Sequence, residues 1–365
     1  MAQSVKAARA ENQPLQLDWA VDTNHIEEDA KKVLRHIRPD WPPDQIQFKK
    51  FTDGITNKLF GAYLEGSDMK DVVLIRVNGE GTEVIIDREA EVRTFQLLHA
   101  NKCGPPLFAL FKNGMSYGFV QGEPLDEDNV RDERVATLIA QEMVRLHSVQ
   151  PDNKPPSERC SQFRTKAQAF LNNVPTGFDN EAMNTRFLQS VPSLSALQTE
   201  LDSICQELES LKMPTVFSHN DLLLRNIVYD SKSKPDAIHF IDFEYAFLNY
   251  QAYDIGNHFC EYAGMDEVDY DLYPDKDYQV KWLRRYLQFD FTAKGRSPQD
   301  VTDIDVERLY VQTNKCACAA HFFWSLWALI QAKNSSIDFD FLGYSITRLS
   351  EYTRRKKEFF PLALP

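Results

Sequence analysis

The sequence predicts an α+β protein of two lobes, a small β-rich N-terminal lobe followed by a larger, mainly helical C-terminal lobe. Three observations support this prediction. The chain has 365 residues, more than a single small core requires. Short strand patterns separated by turns dominate residues 47–79, whereas helical patterns dominate after about residue 122. The composition, 43% hydrophobic and 26% charged, is typical of a globular protein.

The N-terminal lobe is predicted to span residues 21–121, after a loose tail over residues 1–20, which are polar and lack periodicity. From Gln47, the segments QFKKF, KLFGAYLE and DVVLIRVNG are strand candidates separated by turns such as TDGITN. The segment DREAEVRTFQLLHANKCG predicts an amphipathic helix with Asp87 as its N-cap and Gly104 at its end. The segment YGFVQGEPLD predicts a short strand that leads into the boundary between the lobes.

The C-terminal lobe, residues 122–365, is predicted to begin with a helix over about 131–148 and to continue with helical patterns broken by proline-rich loops. Its longest apolar run is CACAAHFFWSLWALI, from Cys316 to Ile330. As a helix this run would be about 22 Å long, which is short of the ~30 Å hydrocarbon core of a membrane. We therefore predict a buried helix rather than a membrane span.

Charge and cysteine spacing argue against several functional classes. The net charge of −13 disfavours nucleic-acid binding, which needs clustered Lys and Arg, and would favour cationic ligands. The six cysteines lack C-x-x-C spacing, so neither a zinc site nor a disulfide framework is predicted and reduced thiols are expected. The N-terminus shows no apolar segment typical of a secretory signal. Together these features predict a cytoplasmic protein without a nucleic-acid partner.

A polar loop between two apolar segments is the main candidate for a functional site. In TVFSHNDLLLRNIVYD, residues 215–230, a polar triplet ending at Asp221 interrupts β-forming residues, and Asn226 follows five positions later. Downstream, the strand pattern in AIHFIDFEYAF ends at Asp242. A hairpin across YDSKSKPD would bring Asn226 and Asp242 together, with Asp221 on the adjoining loop. Two carboxylates and an amide oxygen are ligands suited to Mg²⁺.

The order of these residues along the chain is typical of kinases. An isolated D-x-x-x-x-N pair more often caps turns. However, H-x-D-x-x-x-x-N followed by a strand ending in Asp is the arrangement in which one Asp accepts a hydroxyl proton while the Asn and the second Asp hold Mg²⁺. Arg76, on a predicted strand, and Glu91, on the next helix, lie where kinases place the phosphate-binding cation and its partner. Either residue alone would indicate only a surface charge.

The longer segments SHNDLLLRNIVYD and IHFIDFEYAFLNYQAYDIGNHFCEYAG resemble the choline/ethanolamine kinase family. The similarity continues from FTDGITNKLFG through REAEV to HFFWSLWALIQAKNSSIDFDF, covering most of residues 47 to about 350. This resemblance implies a bilobal protein-kinase-like fold and the ATP- and Mg²⁺-dependent phosphorylation of a small hydroxylated amine. The segment EYAGMDEVDYDLYP, with Tyr262 where choline kinases usually carry Trp, favours ethanolamine as the acceptor, in the first step of phosphatidylethanolamine head-group synthesis. A choline kinase or a dual-specificity kinase is the near alternative.

The resemblance also implies roles for residues of the loop. Asp221 is the catalytic base by this resemblance, and Asn226 and Asp242 are the Mg²⁺ ligands. His219 is a candidate for acid/base chemistry, but we expect it to brace the loop by hydrogen bonds. We likewise expect Asp254 to brace the catalytic loop rather than to touch the substrate.

On the nucleotide side, the resemblance implies an ion pair between Arg76 and Glu91. The segment TDGITNK has a single glycine where protein kinases carry G-x-G-x-x-G. A shorter turn would therefore cover the phosphates through backbone amides and side chains, and the candidates are Thr56, Asn57 and Lys58.

The acceptor site needs groups that recognise a small hydroxylated cation. Carboxylates accept hydrogen bonds from a primary ammonium, and aromatic faces attract alkylammonium groups. Trp324 and Trp327, three apart on one helix, would by themselves indicate core packing, but the resemblance favours a place in the pocket. The acidic run over residues 266–277 is most simply a solvated loop. The acceptor candidates are Glu244, Tyr245, Glu261, Trp324, Trp327, Phe339, Phe341 and Tyr344.

Two other functional classes fit the sequence less well. A non-catalytic pseudokinase scaffold is disfavoured because it would usually lack at least one of the five phosphoryl-transfer residues, all of which are present. A phosphotransferase acting on aminoglycosides is disfavoured by the N-H-F-x-E and Trp-x-x-Trp segments. A homodimer stays open, since the sequence does not reveal the oligomeric state.

Overall fold

The computed structural model describes residues 13–51, 57–79, 87–264, 268–335 and 337–365. The chain forms two compact units, unit 1 (Met1–Gln121) and unit 2 (Gly122–Pro365). Among the residues that the structure describes, no helix combines the length and the apolar composition needed to cross a membrane.

Unit 1 is organised around one mixed sheet flanked by helices. Its elements are β1 (Leu15–Leu17), α1 (Ile26–Ile37), β2 (Ile46–Phe51), β3 (Asn57–Leu64), β4 (Val73–Asn78), α2 (Arg88–Ala100), β5 (Leu107–Phe111) and β6 (Gly114–Gly118). The strands lie in the order β1-β5-β6-β4-β3-β2, and neighbours are antiparallel except for β1 and β5. The central strand β4, VLIRVN, is buried along nearly its whole length, as its run of β-branched residues favours.

The loose tail predicted over residues 1–20 is wrong for β1. This segment pairs in parallel with β5, with Leu15 opposite Ala109 and Leu17 opposite Phe111. Leu17 packs into the same apolar cluster as Val21. Alternate residues of a strand share one face, so LQL presents two leucines to the core. Three residues are too few to show a strand period in the sequence, and the pairing with β5 supplies the stabilisation.

The helix α2 begins at the predicted N-cap but ends earlier than expected. Asp87 accepts a hydrogen bond of 3.0 Å from the backbone N–H of Ala90. The helix ends at Ala100 rather than at Gly104, because Lys102 adopts a φ of 59° and the Cys103 N–H donates back to the Leu98 carbonyl at 2.8 Å. The chain therefore leaves the helix before it reaches the glycine.

Unit 2 consists of two small sheets and a larger set of helices. Its strands are β7 (Glu123–Pro124), β8 (Thr215–Ser218), β9 (Ile227–Asp230), β10 (Ala237–Phe240) and β11 (Phe247–Tyr250). Its helices are α3 (Glu133–His147), α4 (Phe163–Asn173), α5 (Glu181–Ser190), α6 (Leu194–Ser210), α7 (Gln251–Cys260), α8 (Lys276–Ala293), α9 (Asp303–Asn334) and α10 (Phe341–Phe359). The strands β10-β9-β7 form one small sheet, and β11-β8 form another.

The helix α9 is the centre of unit 2 and contains the apolar run singled out in the sequence. Every residue from Leu309 to Gln331 is buried, so the prediction of a buried helix is confirmed. A helix that is buried on all sides needs packing partners on all sides, and α9 packs against α4, α6, α7, α8 and α10. A capping box of Thr302 and Asp305 begins the helix. All six cysteines lie in described segments, and none forms a disulfide.

Candidate active site

Residues 219–226, the predicted catalytic loop and called the catalytic loop below, connect β8 to β9 as the sequence predicted. The strands β9 and β10 form the predicted antiparallel hairpin, with Ile227 opposite Phe240. The Ile241 N–H donates to the Asn226 carbonyl at 3.0 Å. The hairpin therefore brings Asn226 and Asp242 to the same end, next to the loop that carries Asp221.

Asp254, on α7, holds the start of the catalytic loop. Its two carboxylate oxygens accept hydrogen bonds from the backbone N–H groups of His219, at 2.7 Å, and Asn220, at 2.6 Å. His147 Nε2 also donates to Asp254 at 3.0 Å, and the Tyr286 hydroxyl bonds the other ring nitrogen at 2.7 Å. Asp254, His219 and Asn220 are fully buried. The expectation that Asp254 braces the loop is confirmed.

Both ring nitrogens of His219 are engaged within the loop. Nε2 donates to the Ile241 carbonyl at 2.9 Å, and Nδ1 accepts from the Asp221 N–H at 3.3 Å. Burial lowers the pKa of His219, so the ring is neutral with its proton on Nε2. These hydrogen bonds agree with the expected bracing role, because His219 connects the loop to the chain just before Asp242. Its candidate acid/base role stays a prediction.

Asn220 is a residue that the sequence reasoning missed. Its φ of 68° lies in the left-handed region, which Asn tolerates better than most residues. Its side-chain amide donates to the Tyr245 carbonyl at 3.0 Å and accepts from Asn249 Nδ2 at 2.8 Å. The middle residue of the H-N-D triplet therefore fixes the turn that presents Asp221.

Asp221 lies in a strongly negative environment. Asn226 Nδ2 donates to the backbone carbonyl of Asp221 at 2.9 Å and to its carboxylate at 3.2 Å. Burial raises the pKa of Asp221 well above its usual value, and Arg348 opposes this rise. Three further carboxylates raise it electrostatically, and these are Asp242, Glu261 and Glu244. Such an accumulation of negative charge is what a site for cations requires.

The residues at the hairpin end fit a Mg²⁺ ion. Asp242 is exposed, and its φ of 63° re-aims the chain directly after β10. The amide nitrogen of Asn226 faces Asp221, so its amide oxygen points away from that carboxylate. Within the described ranges, no three His, Cys, Asp or Glu side chains could hold a metal by themselves. An ion held by Asp242 and Asn226 would complete its shell with phosphate oxygens and water, as Mg²⁺ usually does.

In unit 1, Arg76 on β4 and Glu91 on α2 form a buried ion pair with an N–O distance of 2.6 Å. Their side chains are 5% and 0% exposed, so the alternative that these residues are ordinary surface charges is excluded. Arg88, which the sequence reasoning missed, donates to the other oxygen of Glu91 at 2.9 Å. Two guanidinium groups thus share one buried carboxylate, which satisfies a charge that would be costly alone. The role of the pair towards a nucleotide stays a prediction.

The other nucleotide candidates lie at the start of β3. Asn57 is the first residue of this strand, and the exposed Lys58 pairs with Val77 of β4. Thr56 lies outside the described residues. Whether these residues contact phosphates also stays a prediction.

Six aromatic residues form a continuous chain of ring contacts in unit 2, here called the aromatic cluster. Successive ring centroids lie 4.9 to 6.0 Å apart. Two hydrogen bonds fix its indoles: Trp324 Nε1 donates to Asn257 Oδ1 at 2.8 Å, and Trp327 Nε1 donates to the Tyr245 hydroxyl at 2.7 Å. In order of contact, the members are Tyr245, Trp324, Trp327, Phe341, Phe339 and Tyr344.

Both tryptophans of the cluster are nearly buried, at 5% and 8% exposure, so core packing describes them as well as a binding surface does. Phe339, in contrast, is 46% exposed at the end of the cluster. The structure thus brings the predicted aromatic residues together. Their contact with an acceptor stays a prediction.

The predicted acceptor carboxylate Glu261 already has a cationic partner. Arg348, on α10, donates from Nη2 to Glu261 Oε1 at 2.5 Å, and both side chains are buried. Arg348 is a partner of Glu261 that the sequence reasoning missed, and the contact of Glu261 with an acceptor stays a prediction. Glu244 is partly buried and lies close enough to act on the charge of Asp221.

Comparison with known proteins identifies relatives over nearly the whole chain. A model of the choline/ethanolamine kinase family matches residues 48–353. The chain is 46% identical to ethanolamine kinase 1 of Mus musculus over 336 residues, which cover 92% of this chain and 91% of that protein. It is 45% identical to ethanolamine kinase 2 of Homo sapiens, covering 95% and 85%. A solved structure of an ethanolamine kinase from Plasmodium vivax superposes with a TM-score of 0.76 at 26% identity, covering 91% of this chain and 89% of that chain.

Proposed function

We propose that this chain, which belongs to the choline/ethanolamine kinase family and has its protein-kinase-like fold, phosphorylates ethanolamine with ATP. The family and the relatives named ethanolamine kinases support this activity. The main structural support for this activity is the position of Asp221 on a loop of unit 2 that Asp254 holds in place. The carboxylates of Glu244 and Glu261 act electrostatically on Asp221 there. The same unit holds the aromatic cluster suited to a small alkylammonium group.

Asp221 accepts the proton of the acceptor hydroxyl in this mechanism. Its raised pKa makes the carboxylate a stronger base than an exposed one, while the cations of substrate and metal favour its charged form. The Asn226 amide fixes the carboxylate orientation through its hydrogen bond. The backbone bonds to Asp254 fix the loop, so the base is positioned before the substrate arrives.

Asn226 and Asp242 are the residues that would hold Mg²⁺. Bound there, the metal would supply charge neutralisation for the transferred phosphoryl group and its leaving oxygen. In unit 1, the pair of Arg76 and Glu91 supplies a positioned guanidinium for the nucleotide phosphates. The backbone at Asn57 and Lys58 would cover those phosphates.

We propose ethanolamine as the preferred acceptor, with choline as the alternative. A primary ammonium has three N–H donors and needs acceptor oxygens, whereas a quaternary ammonium relies on aromatic faces. Unit 2 offers both kinds of group, so the preference rests on the relatives and on the Tyr262 segment. We expect kcat/KM for ethanolamine to exceed that for choline by roughly tenfold or more, since methyl groups crowd a pocket and leave hydrogen bonds unmade.

An ATP-consumption assay with defined acceptors tests this function. The acceptors are ethanolamine, its N-methyl and N,N-dimethyl forms, choline and kanamycin, each with and without Mg²⁺. We expect activity to need Mg²⁺ and to fall with each added methyl group. Equal or better efficiency with choline would reverse the acceptor assignment. Turnover of kanamycin alone would identify an aminoglycoside phosphotransferase, and no turnover of any acceptor would favour a pseudokinase.

We also propose a cytoplasmic location, where ATP and Mg²⁺ are available, and the six unbridged cysteines agree with a reducing compartment. Fluorescence microscopy of the tagged full chain checks this location. A homodimer is the oligomeric state to test first, by light scattering of the purified chain.

A further inference from the structure

Arg348 is a buried cation whose guanidinium contacts three different side chains in unit 2. It is 3% exposed and lies on α10. Nη2 donates to Glu261 at 2.5 Å, Nε donates to the Tyr344 hydroxyl at 2.9 Å, and Nη1 lies 3.2 Å from His321 Nδ1. Two of these partners, Glu261 and Tyr344, are predicted acceptor residues.

The third partner, His321, is a neutral acceptor. Burial and the nearby guanidinium groups lower the pKa of His321 well below its usual value. A neutral imidazole that receives a hydrogen bond on Nδ1 carries its proton on Nε2. Each of the three guanidinium nitrogens of Arg348 therefore contacts a different partner, and these contacts restrict rotation of the guanidinium group.

The α7 segment connects this arrangement to the aromatic cluster. Asn257 and Glu261 are four positions apart, the spacing that places side chains on one helical face. Asn257 binds the Trp324 indole of α9, and Glu261 binds Arg348 of α10. The two polar ends of N-H-F-x-E thus hold the two helices that carry most of the aromatic cluster.

We propose that Arg348 is a positioning residue that sets the orientation of Glu261 and Tyr344 towards the acceptor ammonium and thereby favours a small primary amine. This inference rests on the proposed function. The hydrogen bond from the guanidinium to Oε1 of Glu261 restricts rotation of the carboxylate, so its second oxygen has a preferred direction. The hydrogen bond to its hydroxyl restricts the Tyr344 ring in the same way, so we expect the acceptor site to resist widening for methyl groups.

The charge of Arg348 also offsets that of Glu261. A buried carboxylate without a partner would attract any cation, whether methylated or not. Once it is paired, an ammonium gains mainly through directed hydrogen bonds, which a quaternary amine cannot donate. The ion pair therefore weakens the general attraction of Glu261 for cations, so that hydrogen bonding distinguishes a primary ammonium from a quaternary one.

Arg348→Lys is the decisive variant, because lysine keeps the charge but has no planar fork to reach three partners. We expect KM for ethanolamine to rise by about tenfold or more and the preference for ethanolamine over choline to shrink, while KM for ATP stays within about twofold. Arg354→Lys is the matched control on the same helix, where half-exposed ion pairs join Arg354 to Glu351 and Asp271. It should leave all three quantities unchanged.

Tyr344→Phe provides a second variant should Arg348→Lys fail to fold. It removes one hydroxyl and keeps the ring, and we expect KM for ethanolamine to rise by about threefold or more. In the double variant, the two effects should combine to less than their product, since Tyr344→Phe removes one of the three contacts that Arg348→Lys also disturbs. An unchanged KM for ethanolamine, or an equal rise in KM for ATP, would overturn the proposal. A wild-type enzyme inactive on ethanolamine would instead overturn the proposed function.

Discussion

The backbone N–H of Asn220 donates a hydrogen bond of 2.6 Å to the carboxylate of Asp254, which lies 34 positions further along the chain. This bond holds Asn220 at a φ of 68° and so sets the direction of the next residue, Asp221. A left-handed backbone conformation costs about 1–2 kcal/mol for most residues, although Asn adopts it more readily than most. The buried carboxylate offsets this cost, because it also accepts the adjacent N–H of His219.

Replacing Asp254 with Asn should therefore reduce both activity and stability. Asn has one acceptor oxygen, so one of the two backbone N–H groups would face an amide NH₂ and stay unsatisfied in a buried place. We expect the free energy of unfolding to fall by about 1–3 kcal/mol and kcat to fall by about tenfold or more. Urea unfolding and steady-state kinetics measure these effects. Asp303→Asn, an exposed carboxylate in the first turn of α9, is the control.

Replacing Asp221 with Asn should remove the base while keeping its shape. We expect kcat to fall by on the order of 10²-fold or more, because an amide cannot accept the hydroxyl proton. The Kd for ATP, measured by calorimetry, should change little. Turnover near that of the wild type would remove Asp221 from the mechanism.

Variants at Asn226 and Asp242 should show that the two proposed Mg²⁺ ligands contribute unequally to metal binding. Asp242→Ala deletes a charged ligand and should abolish activity at ordinary Mg²⁺ concentrations. Asn226→Ala deletes a neutral one and should be partly rescued as Mg²⁺ is raised. A Mg²⁺ titration of each purified variant measures both effects. Normal metal dependence in both would show that the hairpin end does not hold the ion.

Glu142, on α3, should make stability depend on pH. Burial raises the pKa of its carboxyl to about 7, and Arg145 at 2.7 Å opposes only part of that rise. Between the unfolded value of about 4.3 and the folded value, the folded chain binds more protons than the unfolded chain. The free energy of unfolding should therefore fall by on the order of 3 kcal/mol as the pH rises through this window, because of Glu142.

Glu142→Gln should remove this dependence and become more stable relative to the wild type as the pH is raised from 5 to 8. Urea unfolding at several pH values measures the difference. Glu133→Gln, at the exposed start of the same helix, should leave the pH dependence as it is. Parallel curves for the wild type and Glu142→Gln would rule out the buried carboxyl as the cause.

Local patterns in the sequence were sufficient for the catalytic loop, the hairpin, the N-cap at Asp87 and the buried helix α9. Each depends on residues close together in the chain, whose period, cap or turn chemistry is readable directly. The juxtaposition of Asn226 and Asp242 belongs to this class, since a single hairpin joins them. The strand β1 and the early end of α2 do not belong to this class. The strand β1 depends on pairing with β5, and the end of α2 depends on the backbone turn at Lys102.

The acceptor side shows what only the tertiary structure decided. Arg348 follows Glu261 by 87 positions and sits in the helical segment SITRLSEYTRRKK, where several basic residues have similar neighbours. Nothing local distinguishes it from Arg354, which is about half exposed. Packing of α10 against α9 buries one arginine and leaves the other at the surface. An unpaired charge is costly when it is buried, so the ion pair with Glu261 is needed once α10 packs with Arg348 inside. No spacing in the sequence reveals this pairing.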